Sequence, residues 1–338
     1  MSTTKAVTLN RHILEHNRRH PGHHAELITL LTQIAYAGKI LAREMSRAAL
    51  AGKVGLAGGR NITGDAQKKL DVYGNEVMLE AFVESGLVSA IVSEEMGEAK
   101  YVSTDAGARY VLSVDPLDGS SNSDINGSVG TIFGVYPRGP EESCGKIEQV
   151  LQKGTQMVAA GYVMYGPGTI LVYSVGYGVN GFTLDSDLGE FLLSHEHMRC
   201  PSRGHYYSAN LGRVPEWHPH LRKYIDHLNA SNYSLRYTGA LVADMHRTLL
   251  EGGLYFYPPD AAHKKGKLRL LYECAPLGFL AEQAGGRAST GRERILDVQP
   301  ESPHQRVPFV IGSVEDVELY EHFLASGEPL PAKSAKSA

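Results

Sequence analysis

Two carboxylates three residues apart open the chemical reading of this sequence. Residues 110–122 run YVLSVDPLDGSSN. The apolar stretch 110–114 reads as a buried strand, and it ends in Asp115-Pro116-Leu117-Asp118-Gly119-Ser120-Ser121-Asn122. Pro116 fixes its own φ and drives Asp115 into an extended conformation, so both carboxylates are presented from a stiff turn. Gly119 lets the backbone approach a ligand. The N–H groups of Gly119, Ser120 and Ser121 fall where a helix is predicted to begin, an arrangement that suits an anion. Carboxylates for a hard cation beside amides for a phosphate point to metal-assisted phosphate chemistry. Alone, the run also reads as a polar surface turn, because Asp-Pro and Asp-Gly are common turn pairs.

A second apolar stretch, 87–93, reads as a strand and stops at Glu94-Glu95. Sequential strands are often neighbours; if these two are, Glu94, Asp115 and Asp118 converge. Buried like charges raise each other's pKa and cost stability unless a cation sits between them. Asp65, Asp71 and Glu273 extend the acidic set, and none of these residues has a Cys or His at ligand spacing beside it. An all-oxygen set suits Mg²⁺ or Mn²⁺ rather than Zn²⁺. A carboxylate left over from metal binding can serve as base for a water. Taken singly, Asp65, Asp71 and Glu95 read equally well as cap or surface residues.

The basic counterpart is DAAHKKGKLRLL at 260–271, with Lys264, Lys265, Lys267 and Arg269. It lies between an aromatic strand, Tyr255-Phe256-Tyr257, and Glu273. A charge run is ordinarily a solvated face. Here, tyrosine hydroxyls beside Lys and Arg are suited to hold a second, non-reacting phosphate. Arg236-Tyr237 repeats that chemistry upstream.

These residues need a scaffold of mixed type. Helical periodicity begins at 25 (Leu27, Leu30, Leu31, Ile34, Leu41, Met45, Ala48) and a second helix reaches about residue 85. Between them the glycine-dense stretch ending at Asp65 predicts a mobile loop of the kind that closes over sites. Strands are predicted at 129–136, 157–165, 169–175, 179–184 and 190–193, with a polar loop over 137–154; the spacing suggests an antiparallel meander. The pattern changes near 201–204, where a boundary is placed. Beyond it come strands at 206–209, 253–257 and 307–311 and helices at 215–229, 240–251, 268–283 and 315–325. The organisation is therefore an arm (1–24) that is polar and partly disordered at its start, a domain at 25–200, a domain at 201–326 and a disordered tail (327–338).

The bulk numbers set limits. The 338 residues are 42% hydrophobic and 21% charged, and the net charge of −4 gives no reason to expect nucleic acid or an anionic membrane as partner. No apolar run is long enough to cross a bilayer, and the N-terminus lacks a signal-peptide core, so cytoplasm is the expectation. Cys144, Cys200 and Cys274 form no CxxC pair and leave an odd count, which indicates neither a zinc knuckle nor a disulfide framework. The histidine clusters at 23–24, 195–197 and 218–220 lie in polar, turn-like settings and read as solvated.

At this point the residues match a family. DPLDGSSN after a strand, SEE upstream and a late AGG resemble the metal-dependent, lithium-sensitive sugar-phosphate and inositol phosphatases. NITGDAQKKLDV (61–72), LRYTGALVADMHRTLLEGGLYFYP (235–258) and KGKLRLLYEC (265–274) narrow the resemblance to class I fructose-1,6-bisphosphatase, over about residues 25–325. It implies a layered α/β/α/β/α sugar-phosphatase fold with two subdomains, usually a homotetramer, acting on a sugar bisphosphate. Carried over residue by residue, it implies metal ligation, by two or more Mg²⁺ (or Mn²⁺) ions, from Glu94, Asp115, the Leu117 carbonyl, Asp118 and Glu273, with Asp65 joining when its loop closes. Asp71 and Glu95 would hold and deprotonate the attacking water. Asp118, Gly119, Ser120 and Ser121 would cradle the 1-phosphate. Asn210, Tyr237, Tyr257 and Lys267 would bind the 6-phosphate and sugar, with Tyr255 and Phe256 beside them and Arg236 reaching in from a neighbouring subunit.

The sequence also departs from the pattern. The Thr-rich turn of AMP-controlled members is replaced by HHAELI at 23–28, and Pro137 stands where an arginine is expected. Weak or absent AMP inhibition is the expectation, and strong inhibition at low micromolar AMP would contradict it. Arg213 stands where some members have a Tyr near the 6-phosphate, and with the single Cys144 in the 137–154 loop the thiol switch of chloroplast relatives is not expected. Sedoheptulose 1,7-bisphosphate is the alternative substrate; an inactive regulatory relative is the third reading, which no missing carboxylate favours.

Overall fold

The computed structural model describes residues 6–19, 26–48, 50–52, 55–60, 66–105 and 107–329. Its centre is an eight-stranded sheet. In chain order its strands are β3 (Val88–Ser93), β4 (Lys100–Tyr101), β5 (Tyr110–Asp118), β6 (Val129–Pro137), β7 (Ala159–Tyr165), β8 (Ile170–Ser174), β9 (Val179–Asp185) and β10 (Glu190–Met198). They follow a hairpin of β1 (Leu56–Arg60) and β2 (Ala66–Lys68). The spatial order is β10-β9-β8-β7-β6-β5-β3-β4. All pairs are antiparallel except β3 with β5, so the anticipated meander is present. The parallel pair sets the ends of β3 and β5 side by side, and Glu94 N–H donates to Val114 O at 3.2 Å.

Alternation along the strands sorts the side chains between two cores. Tyr110, Leu112 and Val114 of β5 face helices α1 (Leu9–Arg19), α2 (Glu26–Arg47) and α3 (Lys69–Val83). Val111 faces the opposite side. Leu30, Leu31, Ile34 and Leu41 of α2 are fully buried there, each contributing roughly 1.5–3 kcal/mol of transfer free energy. On the other face lie α5 (Leu241–Glu251) and α6 (Ala275–Gln283), which are covered in turn by a second sheet. The strands of the second sheet are β11 (Tyr206–Ser208), β12 (Ser234–Leu235), β13 (Leu254–Tyr257), β15 (Arg287–Ser289) and β17 (Phe309–Gly312), ordered β12-β11-β13-β17-β15. A short pair, β14 (Leu268–Arg269) with β16 (Arg306–Val307), stands apart. Helices α4 (Pro219–Ala230) and α7 (Val314–Ser326) close the outer face of the second sheet. The layers are thus helix, sheet, helix, sheet, helix.

Several expectations need correction. The N-terminal arm contains the helix α1, because Leu9 and Ile13 bury one face of an otherwise polar segment. The Thr8 hydroxyl caps it by accepting the Arg11 N–H at 3.3 Å. Two anchors are too few to register as periodicity. Leu193 N–H donates to Val7 O at 2.8 Å, so this arm also pairs with β10. Part of the glycine-dense stretch is hairpin strand rather than loop. The helix expected at 215–229 begins at Pro219, after a 3₁₀ turn at Leu211–Glu216 that contains Pro215. The helix expected at 268–283 begins as strand β14, continues through a wide π turn at Leu270–Cys274 and becomes α-helical only at Ala275.

Candidate active site

The ends of β3 and β5, the π turn and the start of α5 meet around a cavity of about 380 Å³. Each acidic side chain in it has a local reason for its direction. Asp115 Oδ1 accepts the Leu117 N–H at 3.0 Å, which closes the Asp-Pro turn on itself. Asp118 Oδ2 accepts the Val242 N–H at 2.8 Å, at the first turn of α5. Glu273 Oε2 accepts the Arg269 N–H at 2.6 Å across the π turn. The Ser113 hydroxyl donates to Leu271 O at 3.0 Å and ties that turn to β5. Asp71, in the first turn of α3, accepts the Lys68 N–H at 2.7 Å, the side-chain half of a capping box.

Asp115, Asp118 and Glu273 are the tight group: they are 2%, 8% and 3% exposed, and one carboxylate oxygen of each lies within 4.8 Å of the others. Burial, then the neighbouring carboxylates, pushes Asp115 well above the usual carboxylate range. Burial drives Asp118 up to about 7, against the Val242 N–H that favours its ionised form. Glu273 is pushed up to about 8 by burial, partly offset by Arg269. Asp71 is raised to about 6, again chiefly by burial. The Asp115–Asp118–Glu273 group therefore keeps part of its protons at neutral pH until a cation replaces them. The donors are all oxygen, so a hard divalent cation fits.

Glu94, Glu95 and Leu117 line the same cavity. Glu94 Oε1 is paired with Arg269 Nη2 at 2.9 Å. Gly119, Ser120 and Ser121 form the adjoining wall. Gly119 has φ 73°, and a Cβ there would stand 2.4 Å from Ala240 Cβ, so only glycine allows this turn to close against α5. The residues after it wind as a 3₁₀ helix, Ser120–Ile125.

The opposite end is aromatic and basic. Tyr237, Tyr255, Tyr257 and Lys267 line it, with the Lys267 ammonium 5.5 Å from the Tyr257 ring centre. Burial pushes the Tyr237 phenol up to about 12, which keeps it a hydrogen-bond donor.

The structure does not bring every anticipated residue here. Phe256 is turned away: alternation along β13 sends it into the outer core, 5.6 Å from Trp217 and 5.3 Å from Tyr320 by ring centres. Asn210 starts the 3₁₀ turn of Leu211–Glu216 and is not a wall of the cavity. Arg236 lies 5.3 Å over the Tyr206 ring and donates to Leu235 O, also outside it. Arg213 is paired with Glu216 at 3.0 Å and likewise stays out. Asp65 lies outside the described residues. Arg269 belongs to the basic run suited to a second phosphate, whereas its guanidinium sits among the carboxylates; its i,i+4 spacing from Glu273 is the available signal. The ion pair of Lys68 with Asp124, beside the cavity, had no signal in the sequence.

The comparisons with known proteins agree with one another. Residues 7–196 match the family model "Fructose-1-6-bisphosphatase, N-terminal domain", and residues 200–325 match its C-terminal counterpart. A class 1 fructose-1,6-bisphosphatase of Acaryochloris marina is 54% identical over 328 residues, covering 95% of this chain and 98% of the relative. One from Chlorobium chlorochromatii is 46% identical over 324 residues, covering 94% and 97%. Among solved structures, Leishmania major fructose-1,6-bisphosphatase in holo form superposes with a TM-score of 0.90 at 39% identity, covering 95% of this chain and 99% of that one. Its T-state gives 0.83 at 38% identity, covering 94% and 99%.

Proposed function

Because this chain belongs to the fructose-1,6-bisphosphatase family, we propose that it hydrolyses the 1-phosphate of fructose 1,6-bisphosphate, giving fructose 6-phosphate and inorganic phosphate. The observation that carries this reading is one cavity with two unlike ends: the buried Asp115–Asp118–Glu273 triangle at one, Tyr237, Tyr257 and Lys267 at the other. A substrate with two phosphates matches such a cavity, one phosphate at each end.

Divalent cations, Mg²⁺ or Mn²⁺, would be held by Glu94, Asp115, the Leu117 carbonyl, Asp118 and Glu273, with Asp65 contributing from its segment. When bound, they would polarise the phosphoryl oxygens and lower the pKa of a water. The chain's own groups do the rest. Backbone N–H groups of Gly119–Ser121 and the serine hydroxyls orient the phosphate that is cleaved. Asp71, with its pKa raised to about 6, is ionised at neutral pH yet basic enough to take the water proton; Glu95 orients that water. Lys267 and the tyrosine hydroxyls hold the phosphate that stays.

Asn210 and Arg236 belong to the sugar-phosphate half. Arg236 lies outside its own chain's cavity and is exposed, which is compatible with service in a neighbouring subunit of a homotetramer. No helix among the described residues is long and apolar enough to cross a membrane, and a cytoplasmic enzyme of carbohydrate metabolism is the setting we propose.

The test is phosphate release with Mg²⁺ from fructose 1,6-bisphosphate, sedoheptulose 1,7-bisphosphate and inositol monophosphate. Turnover fastest on the first is expected. Preference for the second would change the substrate assignment, and no release from any would remove the enzymatic reading.

A further inference from the structure

A second cavity, of about 650 Å³, lies behind β13, on the Phe256 side rather than the Tyr255 and Tyr257 side. Its apolar walls are Trp217, Leu221, Pro259, Pro308, Tyr320 and Leu324. The volume falls within the roughly 300–1,000 Å³ of ordinary small-molecule sites, which combine apolar walls with a few placed polar groups. Trp217 forms one wall. Its side chain is 3% exposed, and its indole Nε1 is buried without a hydrogen-bond partner among the described residues, although a buried tryptophan N–H ordinarily has one.

Of the two acidic residues lining the cavity, Glu216 is engaged by Arg213 at 3.0 Å and by the Ala261 N–H at 3.2 Å. Asp260 Oδ1 is engaged by the His263 N–H at 2.7 Å and its ring Nδ1 at 2.9 Å, while Oδ2 is buried without a hydrogen-bond partner among the described residues. The two cationic residues, Lys264 and Arg292, are exposed and in no ion pair among the described residues. Glu216 is answered and the unpartnered Asp260 oxygen is buried, so the unanswered charges beside this apolar space are those of Lys264 and Arg292.

We propose that this cavity is a second ligand site, for a small organic anion: a flat apolar or aromatic body carrying one carboxylate-, sulfonate- or phosphate-type group. Its body fills the space between Trp217, Leu221 and Leu324. Its anionic group meets Arg292 and Lys264. The segment 258–266 joins this site to the other cavity, since Pro259, Asp260, Ala261 and Lys264 line the second cavity while Tyr257 and Lys267, at its two ends, line the first.

Trp217 is the chain's single tryptophan, which makes the test direct. The native protein is titrated with 1-anilinonaphthalene-8-sulfonate while tryptophan is excited selectively. Saturable quenching of Trp217 with matching dye emission is expected, undisplaced by saturating fructose 1,6-bisphosphate. Arg292→Glu, at an exposed position, is expected to weaken the dye about tenfold. N-phenyl-1-naphthylamine, the same body without the sulfonate, is expected to bind at least about tenfold more weakly than the sulfonate. Three results would each overturn the proposal: no quenching up to about 1 mM dye, equal binding of the two dyes, or equal binding to the parent and Arg292→Glu. Displacement by the bisphosphate would do the same, by assigning the dye to the first cavity. None of these readouts depends on turnover, so the proposal can fail independently of the assigned reaction.

Discussion

The Arg269 guanidinium and the Glu94 carboxylate meet at 2.9 Å between Nη2 and Oε1, both largely buried. The same guanidinium lies 4.0 Å from Glu273, while the Arg269 N–H holds that carboxylate at 2.6 Å. One cationic side chain thus answers part of the charge of an acidic cluster that metal ions would otherwise answer alone.

Arg269→Met is therefore expected to destabilise the metal-free protein by about 3 kcal/mol, the cost of leaving a buried charge unpaired. Excess Mg²⁺ should recover part of the loss. Thermal unfolding in chelator and in Mg²⁺ measures both, and an unchanged Tm in chelator would contradict the role given to Arg269.

Asp118→Asn keeps the volume and the acceptor for the Val242 N–H but removes the charge. Turnover should fall by at least about a thousandfold, equivalent to about 4 kcal/mol of barrier. Circular dichroism and Tm should stay near the parent's. Retained turnover would remove Asp118 from the metal site.

Asp71→Asn is expected to lower kcat by about 10²–10⁴-fold with little change in KM, the pattern of a lost general base. A raised KM at unchanged kcat would make Asp71 a binding residue instead.

Lys267→Ala should act the other way, raising KM by about tenfold or more with kcat nearly kept, because a charge-assisted contact to the non-reacting phosphate is lost. Steady-state kinetics on fructose 1,6-bisphosphate decide it.

The raised carboxylates also set a pH dependence for the metal-free protein. Asp118 at about 7 and Glu273 at about 8 bind protons in the folded state over a range where the unfolded chain, with pKa near 4, has lost them. Stability from these groups is full below about pH 4 and falls as pH rises toward 8. Chemical denaturation in chelator should therefore give a lower midpoint at pH 8 than at pH 6. Mg²⁺ should flatten that difference; a midpoint that rises with pH in chelator would refute the assignment.

Much of the site was legible because chemistry and punctuation coincide. The Asp-Pro turn after an apolar run, and a second apolar run ending in Glu94-Glu95, placed the carboxylates correctly once β3 and β5 paired in parallel. What was not legible depended on facing. Phe256 stands between two tyrosines of the cavity wall, and only the side of the sheet on which the cavity opens decides that it belongs to the other core. Arg269 sits in a basic run, yet the turn that follows carries its guanidinium to Glu94. The α1 helix escaped because Leu9 and Ile13 are its whole buried face, and their partners lie far away in sequence.

The π turn at Leu270–Cys274 carries a further consequence. It holds one residue more per turn than an ordinary helix would, and such insertions persist against the pull of a tighter, better-bonded coil. Removing a single residue there would let the segment anneal into α-helix continuous with Ala275–Gln283. The same deletion would rotate Glu273 by about 100° out of register with Asp115 and Asp118. The segment thus trades regular helical bonding for the direction of one carboxylate. A chain without that residue would gain regular helical bonding and lose the carboxylate that completes the cluster.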